Sequence, residues 1–123
     1  MRIDTMDERL RPTERLHNSQ EFEKVFEEGR CFRTPWLRVH YHPNTQGCSR
    51  LGLVVSRRVG KAVLRNRVKR ILREVFRRNK SRLPAPLDVV LVPQREARTH
   101  AEYLEAFLRF AEGGRGEEGR GGR

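Results

Sequence analysis

The chain has 123 residues, 27 Lys and Arg against 16 Asp and Glu, a net charge of +11 and an isoelectric point near 11.1. That length supports one domain with a modest core, and the charge calls for a polyanionic partner: nucleic acid foremost, with an anionic membrane surface or an acidic protein as the other classes. No apolar run approaches the roughly 18 residues of a membrane span, no signal stretch opens the chain, and Cys31 and Cys48 lack CxxC spacing, so a cytoplasmic protein with free thiols and no membrane contact is expected.

Residues 1–15 are polar, mixed in charge and broken by Pro12, and read as a flexible lead-in. Asn18 or Ser19 caps a helix running to about Glu28, with Glu21 placed for a capping box, Phe22, Val25 and Phe26 on one stripe, and Gly29 as the stop. Cys31 to Arg33 is a brief strand ahead of Pro35. From Trp36 to His42 the residues alternate, Leu37, Val39 and Tyr41 against Trp36, Arg38, His40 and His42, as in a half-exposed strand. Pro43 to Gly47 is turn chemistry, and Arg50 to Ser56 is a more apolar strand expected to pair antiparallel with the one before it.

Val59 and Gly60 lead into a helix from about Ala62 to Asn79. Between Ser56 and Arg82 the chain carries twelve Lys and Arg and one acid, Glu74. At 100° per residue, Leu64, Val68, Ile71, Leu72, Val75 and Phe76 form an apolar arc, while Asn66, Lys69, Arg70, Arg73 and Arg77 fill the opposite side. A face this one-sided repels itself and is stabilised by a polyanion, for which a phosphate backbone is the commonest candidate. The field is focused there, because residues 31–87 hold fifteen Lys and Arg and only Glu74 as an acid.

After Leu83 to Pro86, the β-branched run Asp88 to Val92 reads as a central strand buried on both faces and stopped by Pro93. A last helix from about Thr99 to Ala111 sets Ala101, Leu104, Leu108 and Ala111 along one side, with Phe107 beside them. Residues 112–123 contain no apolar side chain and read as a disordered Gly/Arg/Glu tail. The order is αβββαβα, a single-domain α+β arrangement of helices on one small sheet, with residues 16–111 as the folded unit.

The segment RLGLVVSRRVGKAVLRNRVKRILREVF, Arg50 to Phe76, closely resembles the signature of the bacterial ribonuclease P protein subunit, with Arg65-Asn66-Arg67 as the key triplet. The resemblance extends upstream to Ser19–Gly29 and downstream through the Asp88 strand and last helix, in the family's element order. It implies a protein that binds a large catalytic RNA and, with it, removes the 5′ leader of precursor tRNA. The RNA and its Mg²⁺ ions do the chemistry, with no cofactor held by the protein alone and no obligate protein partner. In agreement, the sequence contains no HExxH, no GxSxG and no carboxylate cluster suited to a two-metal site. The resemblance also implies a left-handed crossover between the parallel strands, against the usual right-handed rule.

Carried over position by position, Arg57, Arg58, Lys61, Arg65, Asn66, Arg67, Lys69, Arg70 and Arg73 are the implied contacts to the catalytic RNA. Arg forks suit phosphate oxygens, Lys supplies a mobile charge, and Asn66 both donates and accepts as a 2′-hydroxyl requires. Arg65 falls at the edge of the apolar arc, where its stem covers core while its head reaches out. Phe22 and Phe26 read as core packing from spacing alone; the resemblance instead places them in a leader-binding cleft, where stacking tolerates varied bases. His40 stands where a cleft tyrosine is expected in some members, with Trp36 or Tyr41 as alternative participants, and the role of Arg38 is open. A metal site built from His40, His42, Cys31 and Cys48 is disfavoured by spacing. Two other functions compete: a general RNA-binding or ribosome-associated module without a catalytic partner, and a protein-only metal nuclease, for which the acids are missing.

Overall fold

The computed structural model describes residues 10–95 and 100–113, together with the backbone of residues 117–120. Three helices, α1 (Ser19–Glu28), α2 (Ala62–Asn79) and α3 (His100–Ala111), pack on a sheet of β1 (Arg30–Arg33), β2 (Leu37–Pro43), β3 (Arg50–Leu53), β4 (Leu87–Pro93) and β5 (Glu117–Arg120). The sheet order is β3-β4-β2-β1-β5. Asn18 caps α1 by accepting the Glu21 N–H at 2.9 Å, and Glu21 accepts the Asn18 N–H in return, the reciprocal pair expected from the sequence.

The expected antiparallel pairing of β2 with β3 does not occur. β4 lies between them, antiparallel to β2 and parallel to β3. Its residues Leu87 to Leu91 are all buried, and a run that must be covered on both faces and both edges belongs at the centre. The connection from β2 to β3 therefore spans two strand spacings, about 10 Å. It is pinned where Leu87 donates its N–H to Ser49 Oγ at 3.1 Å.

The pleat sorts side chains into two layers. Phe32, Leu37, Val39, Leu51, Val89 and Leu91 meet α2 and α3 in the main core, whereas Val90 meets Val25 and Phe26 of α1 and Leu16 on the other face. α1 thus covers part of the polar face of β2, where Arg38 and His42 stay half-buried. His40, on the polar phase of that alternation, is fully buried because α1 lies over it.

α3 is described from His100, with the expected start at Thr99 outside the described residues. Its buried side is Tyr103, Ala106, Phe107 and Phe110, not the Ala101-Leu104-Leu108-Ala111 stripe. Aromatic rings bury far more area than alanine. The helix turns to place Phe107 against Phe76 and Phe110 against Phe32 and Tyr41.

Two terminal readings also change. Residues 10–15 are ordered rather than flexible: Leu10 is buried in the main core and Pro12–Glu14 forms a 3-10 turn. Residues 1–9 lie outside the described residues. In the tail read as disordered, Glu117–Arg120 is an edge strand antiparallel to β1, because backbone pairing requires no apolar side chain.

Candidate nucleic-acid interface

Val68, Leu72, Val75 and Phe76 are buried, so α2 seats the apolar arc read from its periodicity. Lys61, Asn66, Arg67, Arg70 and Arg73 are exposed, Lys69 and Arg65 half-buried. Arg57 and Arg58 are exposed on a 3-10 turn, Arg57–Val59, immediately before the helix. The turn closes on Gly60 at φ 147°, a conformation that disfavours any side chain. Arg65 Nη1 donates to the Gly60 carbonyl at 3.0 Å, so this arginine clamps the entry turn while its stem lies along the core.

The acid of the helix is spent at its far end. Glu74 accepts from Arg77 and, at 2.8 Å, from Arg78, and the hydrogen bonds from Arg78 and Arg77 hold its carboxyl below the ordinary value. Among the described residues, no carboxylate forms an ion pair with Arg57, Arg58, Lys61, Lys69, Arg70 or Arg73. Those six side chains therefore present positive charge that no carboxylate among the described residues offsets.

Beside this face, α1 and the sheet enclose an open cleft of about 500 Å³ lined by Phe22, Phe26, Arg38, His40, Arg58 and Gln94, among others. Phe22 is half-buried and rests on Gly52 of β3, where a Cβ would come within 2.6 Å of the ring. Phe26 is 6% exposed and His40 is 0% exposed. The His40 ring lies edge-on to Phe26 at 4.7 Å, with Nε2 3.7 Å from Cys31 Sγ. Phe22 is thus the aromatic open to the cleft, Phe26 lies largely buried beside it, and His40 forms the floor without an accessible ring face.

Neither alternative aromatic lines the cleft. Trp36 lies under the Arg95 guanidinium, 5.1 Å from its ring centroid, and Tyr41 faces Phe110 on the opposite side of the sheet. Arg38, left open by sequence, does line the cleft, sharing the face of His40 as strand alternation requires. Gln94 was missed because it follows the strand-stopping Pro93. Arg58 Nη1 donates to Gln94 Oε1 at 3.1 Å, which joins the entry turn of α2 to the rim of the cleft. The basic face and the aromatic cleft are therefore one continuous surface.

α1 is held to the sheet by a charged knot. Arg50 donates to Asp88 at 2.8 and 2.7 Å and to Glu21 at 3.1 Å, and Asn44 donates to Asp88 at 2.8 Å. The Asp88 hydrogen bonds raise the Arg50 pKa. Hydrogen bonds from the His17 and Asn18 N–H groups, with Arg50 alongside, hold Glu21 below the ordinary carboxylate range.

His40 and Cys31 lie against each other, whereas His42 and Cys48 go to other partners. His42 lies 3.8 Å from Glu28, and Cys48 Sγ donates to the Thr13 carbonyl. Among the described residues no three His, Cys, Asp or Glu side chains converge on a metal position, and no helix is long and apolar enough to cross a membrane.

The Ribonuclease P family model matches residues 10–111. Similar proteins include the ribonuclease P protein component of Thermotoga maritima, 37% identical over 100 residues that span 81% of this chain and 86% of that one. The component from Syntrophobacter fumaroxidans is 46% identical over 100 residues, 80% of this chain and 81% of that one. Among solved structures, the Thermotoga maritima RNase P protein superposes with a TM-score of 0.73 at 35% identity, covering 84% of this chain and 99% of that one. The Staphylococcus aureus RNase P protein gives 0.72 at 25% identity, covering 80% and 93%. With its matched residues running from the buried Leu10 to the end of α3, the chain belongs to the bacterial ribonuclease P protein family.

Proposed function

We propose that this protein is the subunit of a ribonuclease P holoenzyme that binds the catalytic RNA through α2 and the 5′ leader of precursor tRNA through the cleft. The observation that carries the reading is the Arg58–Gln94 bond, which makes the one-signed helix face and the aromatic cleft contiguous. Arg57, Arg58, Lys61, Arg65, Asn66, Arg67, Lys69, Arg70 and Arg73 face the catalytic RNA. Phe22 stacks on the leader, backed by Phe26 and His40, and residues 16–111 form the RNA-binding unit.

Leaders vary in sequence, and stacking on Phe22 tolerates any base. Because mature tRNA has no leader, that contact favours precursor over product. Positive charge between two polyanionic RNAs reduces their repulsion and the Mg²⁺ needed to bring them together. The Mg²⁺ ions and the chemistry are assigned to the RNA, and the protein contributes binding and positioning.

The test is cleavage of a 5′-labelled precursor tRNA by a matched ribonuclease P RNA at low Mg²⁺, with protein, without it, and with protein alone. Strong stimulation at the mature 5′ end, with nothing cut by protein alone, is the expected result. Binding to the RNA without stimulation makes the chain a general RNA-binding module, and cleavage by protein alone makes it a nuclease in its own right.

A further inference from the structure

Residues 10–16 form a strap that runs from the far end of α2 to the outer edge of β3. Leu10 is buried at one end, Glu14 pairs with Lys80, and Leu16 donates its N–H to the Leu51 carbonyl at 2.9 Å, bridging the strap to β3. Leu16 packs toward α1 with Val25 and Phe26. Successive side chains of extended chain point to opposite sides, so Arg15 is turned the other way, toward α2.

There Arg15 borders a hollow of about 580 Å³ with Lys69 and Arg73, which lie one turn apart on α2. Gly52, Leu53 and the flank of Phe22 contribute its apolar lining, and none of its lining residues is acidic. Several acids of the surrounding elements are engaged elsewhere: Glu14 with Lys80, Glu21 with Arg50, Glu28 with His42, and Glu74 with Arg77 and Arg78. Three cations around a hollow that no acid among the described residues lines repel one another until an anion is shared among them. A phosphodiester suits this arrangement, because two guanidinium forks and an ammonium supply charge-assisted donors from three directions.

We propose that Arg15, Lys69 and Arg73 together hold one phosphate of the catalytic RNA, making the N-terminal strap part of the RNA interface; this rests on the reading of α2 as the RNA-binding face. Arg15 lies outside the basic segment that marks the family by sequence. Phe22 borders both this hollow and the leader cleft, so the phosphate sits behind the ring on which the leader stacks.

The experiment measures affinity of the full chain for the catalytic RNA against salt concentration, for wild type, Arg15→Gln, Arg15→Lys and Lys69→Gln. Losing one phosphate contact lowers the log–log slope by about 0.7 to 0.9, so the affinity lost between about 50 and 200 mM salt shrinks about threefold. That change is expected for Arg15→Gln and Lys69→Gln, while Arg15→Lys keeps the wild-type slope. Arg15 also donates to the Leu10 carbonyl at 3.3 Å, and a merely structural strap would weaken binding without changing the slope. An unchanged slope for Arg15→Gln beside a reduced one for Lys69→Gln overturns the inference alone; unchanged slopes for both overturn the reading of α2 as well. If Arg15→Gln fails to fold, sodium pyrophosphate titrated into the wild-type protein decides by NMR. Side-chain shifts at Arg15 together with Lys69 and Arg73 are expected, and shifts at the latter two without Arg15 refute the site.

Discussion

Gly52→Ala tests how the cleft is built. A Cβ at this position would lie 2.6 and 2.7 Å from two ring atoms of Phe22 and 3.0 Å from a methyl of Leu16. Ordinary carbon contacts lie near 3.5 to 4.0 Å, so the ring must move by about 1 Å. Overpacking of this size costs about 1 to 3 kcal/mol, and the lower end applies because Phe22 is half-buried and free to swing toward the cleft. Alanine also reduces the freedom of the unfolded chain, which offsets about 0.4 to 1 kcal/mol. The net loss is therefore at most about 0.6 kcal/mol, read by urea unfolding. Binding should suffer more selectively: a displaced stacking platform weakens precursor tRNA binding by the holoenzyme about tenfold, within the roughly 1 to 3 kcal/mol of one stacked base, and leaves mature tRNA unchanged. Phe22→Leu removes the clashing ring atoms, so the double variant should be more stable than the sum of the single effects by at least about 0.5 kcal/mol. Wild-type stability together with wild-type precursor affinity, or equal loss of precursor and mature tRNA, would refute the reasoning.

Arg50→Met leaves Asp88, 6% exposed, with Asn44 as its remaining side-chain donor, and should cost about 3 kcal/mol in urea unfolding; pairing it with Asp88→Leu should recover most of that loss. Phe22→Ala should weaken precursor binding and spare mature tRNA, with circular dichroism unchanged. Arg67→Ala combined with Arg70→Ala should reduce the salt slope for the catalytic RNA by about 0.7 to 0.9 per lost contact; an unchanged slope moves the interface off this face. Glu21 titrates below its ordinary 4.5 in the folded state. Its contribution is complete above 4.5 and is lost as the pH falls through the depressed folded value. Glu21→Gln should flatten the acid limb of stability measured between neutral pH and about pH 3, and an unaltered limb would assign the acid loss to other carboxylates.

Local rules were enough for the elements whose partners lie close in sequence. The Asn18–Glu21 box, the span Ala62–Asn79 and its buried arc are legible because capping and 3.6-residue periodicity act within a few turns. The one-signed face is equally legible, since the segment itself holds a single acid, Glu74. Strand order was not legible: β2 and β3 each pair with β4, whose residues lie 44 or more positions after their β2 partners and 38 after their β3 partners, and which is selected by burial on both faces rather than by proximity. Alternation along β2 reports polarity, but only the seating of α1 decides that His40 is buried and that Phe22, not His40, presents an aromatic face. The sequence by itself determined a basic helix in need of a polyanion and the apolar segments that support it. Only the tertiary structure decided which aromatic opens onto the cleft, that Arg58 and Gln94 join the two surfaces, and that Arg15 reaches the hollow beside Lys69 and Arg73, because each depends on contacts between residues far apart in the chain.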